Sequence, residues 1–123
     1  MLVGAIVDPD LGLALAVGLG GRQARLSQTA AARLPPETDA EADELIDSCA
    51  GVAGELDGVR GGVMLDRNAL RELIIRFAML LHEAPEIVEA DLNPVRCTTH
   101  GCIVLDTRLR IQPRHPVERV KTW

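Results

Sequence analysis

Aromatic side chains are almost absent from this 123-residue chain, which has one Phe, one Trp and no Tyr. A nucleic-acid surface built on base stacking is thereby excluded. A net charge of −5 argues equally against binding to a phosphate backbone. No apolar run is long enough to cross a bilayer; the longest uncharged one, Leu11 to Gly21, is short and rich in glycine. Met1 to Val7 is apolar but carries no basic segment, so it does not read as a signal peptide. Cysteine is scarce and odd in number, three in all, which is no secreted disulfide framework. Reduced thiols in a cytoplasm are the expectation. What is present suits one globular domain: 47% apolar and 25% charged residues, with a core drawn from Val, Leu, Ile and Ala.

The spacing predicts strands over residues 2–7 and 11–17, separated by the turn Asp8-Pro9-Asp10 and closed by Gly18-Leu19-Gly20-Gly21. A third strand, or two short ones, is expected within 22–31, before the breaker Leu34-Pro35-Pro36. Thr38-Asp39-Ala40-Glu41 matches a capping box. The helix it opens carries Ala42, Leu45, Ile46 and Cys49 on one face, and Gly51 or Gly54 is expected to end it. Asp66 caps a second helix with Leu70, Leu73, Ile74, Phe77 and Leu81 at helical spacing, ending before Pro85. Strands over 87–96 and 102–111 then flank the hairpin signal Thr98-Thr99-His100-Gly101. The class is α+β: a mostly antiparallel sheet with two helices on one face, a domain over 1–111 and a tail or linker over 112–123.

The hairpin holds the residues with chemical potential. Alternation puts Ile87, Glu89, Asp91 and Asn93 on one face of the first strand and the apolar Val88, Ala90 and Leu92 on the other. Closure about Thr99-His100 sets Asn93 opposite Asp106 and Asp91 opposite Arg108, unless Pro94 introduces a bulge that shifts the register. Opposed side chains have Cβ atoms roughly 4.5–5.5 Å apart. An amide oxygen and a carboxylate at that distance suit a hard cation such as magnesium. Ordinary surface polarity is the competing reading of the same spacing.

Four blocks, in order along the chain, resemble the C-terminal part of the ATP-grasp domain of ADP-forming acyl-CoA synthetases. They are Gly4-Ala5-Ile6-Val7-Asp8-Pro9-Asp10-Leu11-Gly12; Gly18-Leu19-Gly20-Gly21; Asp57-Gly58-Val59-Arg60-Gly61; and Glu86 to Pro94 with Leu105-Asp106-Thr107-Arg108. The chain is more distantly similar to the nucleotide-binding subunit of succinyl-CoA synthetase. The resemblance implies Mg²⁺ and ATP as cofactors, with Asn93 and Asp106 at metal-ligand positions and Asp91 and Arg60 at nucleotide-binding positions. It implies an acyl phosphate and phosphohistidine route with the histidine on another domain, so no catalytic residue is assigned here.

The resemblance also implies partners: an N-terminal ATP-grasp lobe expected upstream of Met1, and a CoA-binding domain or subunit. Such lobes also occur fused to acetyltransferase domains. Arg25 and Thr29 stand where the family usually has Glu and Asp. The isolated chain is therefore expected to be inactive, and a non-catalytic regulatory or interaction module derived from this lobe is the alternative. Cys97 and Cys102, six residues end to end with His100 between them, leave three readings open: plain thiols, which are favoured, a cross-strand disulfide, or a zinc site with Cys49. His82 suits the C-terminal end of the second helix by the helix dipole.

Overall fold

In the computed structural model, residues 1–20, 30–59 and 61–113 are described. Strand β1 (Leu2–Asp8) turns into β2 (Gly12–Gly18), and β3 (Ala31–Arg33) follows. The first turn is built by Asp8, whose Oδ1 accepts from the amides of Asp10 at 2.8 Å and Leu11 at 2.9 Å. Those bonds, Leu11's first, hold the Asp8 carboxyl below its usual pKa. Gly12 completes the turn at φ 81°, which a Cβ would disfavour.

Helices α1 (Asp39–Asp47), α2 (Ala50–Leu56) and α3 (Arg67–Glu83) come next. The capping box forms as expected: Glu41 N donates to Thr38 Oγ1, and Glu41 Oε2 accepts from the amide of Thr38. Asp66 Oδ1 caps α3 by accepting from Ala69 N at 2.9 Å. The first expected helix divides in two. It stops at the C-cap Ser48, and α2 restarts after Cys49, running through both glycines expected to end it. The break lets Cys49 and Val52 both reach the core. Two helices thus become three, within the same α+β class.

The last four strands are β4 (Ile87–Leu92), β5 (Val95–Thr98), β6 (Gly101–Val104) and β7 (Thr107–Ile111). The main sheet has the order β3-β2-β1-β4-β7, and every pairing among the described residues is antiparallel. β5 and β6 form a separate two-stranded ribbon. The strand expected within 22–31 falls mostly outside the described residues; β3 begins at its last residue, Ala31, and runs on to Arg33.

The helices cover one face of the sheet. Val3, Leu15, Val17 and Leu92 meet Leu45, Ile46, Val52, Leu70 and Ile74 there, all buried. Burying each such side chain is worth roughly 1.5–3 kcal/mol. An ion-pair ladder joins α1 to α3: Arg67 reaches Asp43 at 3.1 Å and Asp47 at 2.7 Å, and Arg71 reaches Asp43 at 3.0 Å. Desolvation pushes the Asp43 carboxyl up, but hydrogen bonds from Arg71 and Arg67 outweigh it, and its pKa lies below the usual value.

Candidate functional site

From Glu89 to the tip, the long hairpin keeps the expected register. Asp91 pairs with Arg108 in the main sheet, and Val95 pairs with Val104 in the ribbon. Between the two ladders, Asn93 N donates to Asp106 O at 3.1 Å and Leu105 N donates to Pro94 O at 2.9 Å. Pro94 therefore interrupts the strand without shifting it, and Asn93 stands opposite Asp106 where the hairpin passes from one sheet to the other. The bulge lies elsewhere, between Ile87 and Glu89. It corrects the expected facing of Ile87, which is buried rather than sharing the polar face, because the extra residue reverses the alternation before Glu89.

Beyond the bulge the alternation holds: Ala90 and Leu92 are buried, while Glu89 is exposed and bonds Arg110 at 3.0 Å across the strands. Asp91 occupies a cross-strand row with Ala32, Ala16, Gly4 and Arg108. That row lies on the face away from the helices, since its neighbours Val17, Val3 and Leu92 point into the core. Its small side chains keep that face low beside Asp91. Asn93 and Asp91 are half-buried and Asp106 is exposed. Asp106 Oδ1 accepts from Thr107 N at 2.9 Å, which orients the carboxylate.

Gly20 is a contributor the sequence did not tie to this place. An ideal Cβ on Gly20 would lie 2.9 Å from Asn93 Oδ1 and 2.7 Å from the carbonyl carbon of Met1, with the Met1 oxygen closer still. Met1 is itself pinned: its ammonium donates to Val95 O at 2.8 Å, and its carbonyl accepts from Val95 N at 2.7 Å. Only glycine lets the second motif block run this close to Asn93. Its signal was the Gly18-Leu19-Gly20-Gly21 block, but the partner, more than seventy residues away, is visible only in three dimensions.

The remaining candidates separate from this edge. Arg60, Arg25 and Thr29 lie outside the described residues. His82 is in the last turn of α3 and exposed. A cleft of about 880 Å³ lined by Leu34, Pro36, Ile75, Met79 and His82 contains none of Asp91, Asn93 and Asp106. Cys97 and Cys102 are joined as a disulfide, which corrects the preference for plain thiols. Their Cα atoms are 4.1 Å apart, near the roughly 4.5 Å of a non-hydrogen-bonded pair, where opposed side chains come closest. Among the described residues no cluster of three or more His, Cys, Asp or Glu side chains could hold a metal ion, so nothing there supports zinc. A cation at Asn93 and Asp106 would have one amide oxygen and one carboxylate from this chain, a hard donor pair that suits magnesium with water and phosphate oxygens completing the shell.

Residues 1–111 match a family model described as an ATP-grasp domain. The chain belongs to the ATP-grasp family. Among ATP-grasp relatives it is similar to a 4-hydroxybutyrate–CoA ligase (ADP-forming) of Nitrosopumilus maritimus, 34% identical over 111 residues, covering 89% of this chain and 16% of that one. It is 33% identical over 109 residues to the beta subunit of acetate–CoA ligase (ADP-forming) I of Pyrococcus furiosus, covering 89% of this chain and 47% of the subunit. A solved ATP-grasp structure, dinucleotide-forming acetyl-coenzyme A synthetase 1 of Ca. Korarchaeum cryptofilum in complex with coenzyme A and Mg-AMPPCP, superposes with a TM-score of 0.82 at 31% identity. That match covers 90% of this chain and 52% of the other. The chain thus spans about half or less of the relatives it matches, and its α+β fold is the ATP-grasp arrangement of those neighbours. No helix among the described residues is long and apolar enough to cross a membrane.

Proposed function

We propose that this chain supplies one side of the Mg-ATP site of an ADP-forming acyl-CoA synthetase, with Asn93 and Asp106 as oxygen donors to the metal. The observation that carries the reading is the Asn93–Asp106 clasp, 3.1 Å from amide to carbonyl, at the point where the hairpin leaves the main sheet. Asp91 lies on the low face beside it and would hold the nucleotide's polar groups. Arg60, in its glycine-flanked segment, contacts phosphate. When bound, magnesium, held by Asn93 and Asp106, would neutralise charge on the phosphoryl group in transfer.

This chain's own residues hold and orient. Thr107 N fixes the Asp106 carboxylate, and Gly20 leaves room for the Asn93 amide. The partners are the N-terminal ATP-grasp lobe and a CoA-binding domain or subunit, in some parents with an acetyltransferase domain, and the compartment is the cytoplasm. The ADP-forming ligases it resembles support this assignment. Alone, the chain is inactive, because the other lobe contributes most of the nucleotide's contacts.

Amide NMR during titration with Mg²⁺ and ADP tests the site. Signals of Asn93, Asp106 and Asp91 are expected to move, and Asn93→Ala or Asp106→Asn to abolish the movement. If other signals move while these stay fixed, the assignment is wrong. Arg25 and Thr29 favour a second reading, a non-catalytic module. Acyl-CoA formation after reconstitution with an upstream lobe and a CoA-binding subunit would exclude that reading.

A further inference from the structure

The β5–β6 ribbon carries a feature that nucleotide binding does not use. Cys97 and Cys102 are register partners, joined as a disulfide and half-buried beside the exposed tip Thr98–His100. Cys102 Sγ lies 3.8 Å from the carbonyl oxygen of Asp66, an acceptor ready for a thiol hydrogen. The ribbon is docked on the start of α3 through Asp66 N, which donates to Thr98 O at 2.7 Å. Cys49, the third cysteine, is a buried thiol outside the pair.

We infer that Cys97 and Cys102 are a reversible dithiol–disulfide couple whose oxidation tightens the Asn93–Asp106 clasp. In the oxidising direction a small-molecule disulfide of the glutathione class is attacked by one thiolate, giving a mixed disulfide and one free glutathione thiol. The second cysteine thiolate displaces the other. The Cys97–Cys102 bond forms, the glutathione S–S bond is reduced to two thiols, and the protons leave the two cysteines for them. A dithiol reductant runs the exchange backwards. The clasp lies where both arms of the ribbon enter the main sheet. Closing the arms covalently at Cys97 and Cys102 restrains the bonds Leu105 N to Pro94 O and Asn93 N to Asp106 O just behind them. Nothing in this couple depends on nucleotide binding.

The experiment equilibrates the chain in glutathione buffers from reducing to oxidising, labels it with maleimide under native conditions and counts labels by mass. Two labels are expected in reducing buffer and none in oxidising buffer, with Cys49 reached only after denaturation. Hydrogen exchange on the same samples is expected to show the Asn93 and Leu105 amides exchanging roughly threefold or more faster when reduced. Two labels in every buffer, bound glutathione in place of the internal bond, or a bond that a dithiol leaves intact would overturn the couple. Reversible labelling with equal exchange at Asn93 and Leu105 would overturn the coupling. Cys97→Ser, which cannot form the bond, is expected to exchange at the reduced rate in all buffers; an oxidised rate in that variant would also overturn the coupling.

Discussion

Replacing Gly20 by alanine tests the packing behind the candidate site. The new Cβ would sit 2.9 Å from Asn93 Oδ1 and 2.7 Å from the Met1 carbonyl carbon. Contacts that short are not tolerated, so one neighbour must move. The Asn93 amide can swing, but the Met1 backbone cannot yield cheaply, because Val95 holds it through two hydrogen bonds of 2.8 and 2.7 Å. Overpacking of this kind costs about 1–3 kcal/mol, and a pinned backbone puts the expectation at about 2–3. With an m-value of about 1–2 kcal/mol/M for a small domain in urea, the unfolding midpoint falls by about 1–3 M at unchanged m. Gly61→Ala is the matched control, since its Cβ would meet nothing within 4 Å. It is expected to stay within about 0.5 kcal/mol of the parent. Equal midpoints for the two variants would refute the close approach, and with it the account of how Asn93 is held.

Other perturbations follow the same logic. Asp66→Ala removes the α3 cap and is expected to cost about 1 kcal/mol by urea unfolding, with helix content retained by circular dichroism. Arg67→Ala removes contacts to Asp43 and Asp47 from a side chain only 29% exposed, and is expected to cost about 1–2 kcal/mol after allowance for solvent screening. Stability should also fall in acid. Asp43, and Glu41 in the capping box, have carboxyl pKa values below their unfolded ones, Asp43 despite its desolvation and Glu41 chiefly through the Glu37 amide. Their contribution is present above the unfolded pKa and is lost as pH falls through the folded one. Urea midpoints measured from pH 6 down to pH 2.5 check this, and a flat profile below pH 4 would contradict it.

Local chemistry was legible in the sequence where the chain interacts with itself over a few residues. Thr38 with Glu41 and Asp66 before α3 announced two helix starts. Strict alternation after Glu89, with a tight Thr98–Gly101 tip, fixed the pairing of Asn93 with Asp106. The bulge at Ile87 escaped because no residue type marks it; it depends on how β4 meets β7 and the α3 end together. The division of the first helix escaped for a related reason. Ala50 to Leu56 is good enough helix on its own, and only the core decides that the axis must change at Ser48. The approach of Gly20 to Asn93 joins segments far apart in sequence, so a glycine block could signal that something passes close without saying what. The disulfide needed the Cα separation, which register alone does not supply.

Strand β7 closes one side of the main sheet, with all five of its residues exposed. No strand among the described residues lies beyond it, and an edge of that length is a template on which a foreign strand can hydrogen-bond. Leu109 and Ile111 would welcome such a strand; Arg108 and Arg110, alternating with them, burden it with charge. The far side of the sheet needs less protection, because β3 is three residues long. Arg108 and Arg110 thus have a second consequence: they discourage the chain from polymerising through the longer of the main sheet's two described edges. Replacing both with valine would trade that protection for self-association.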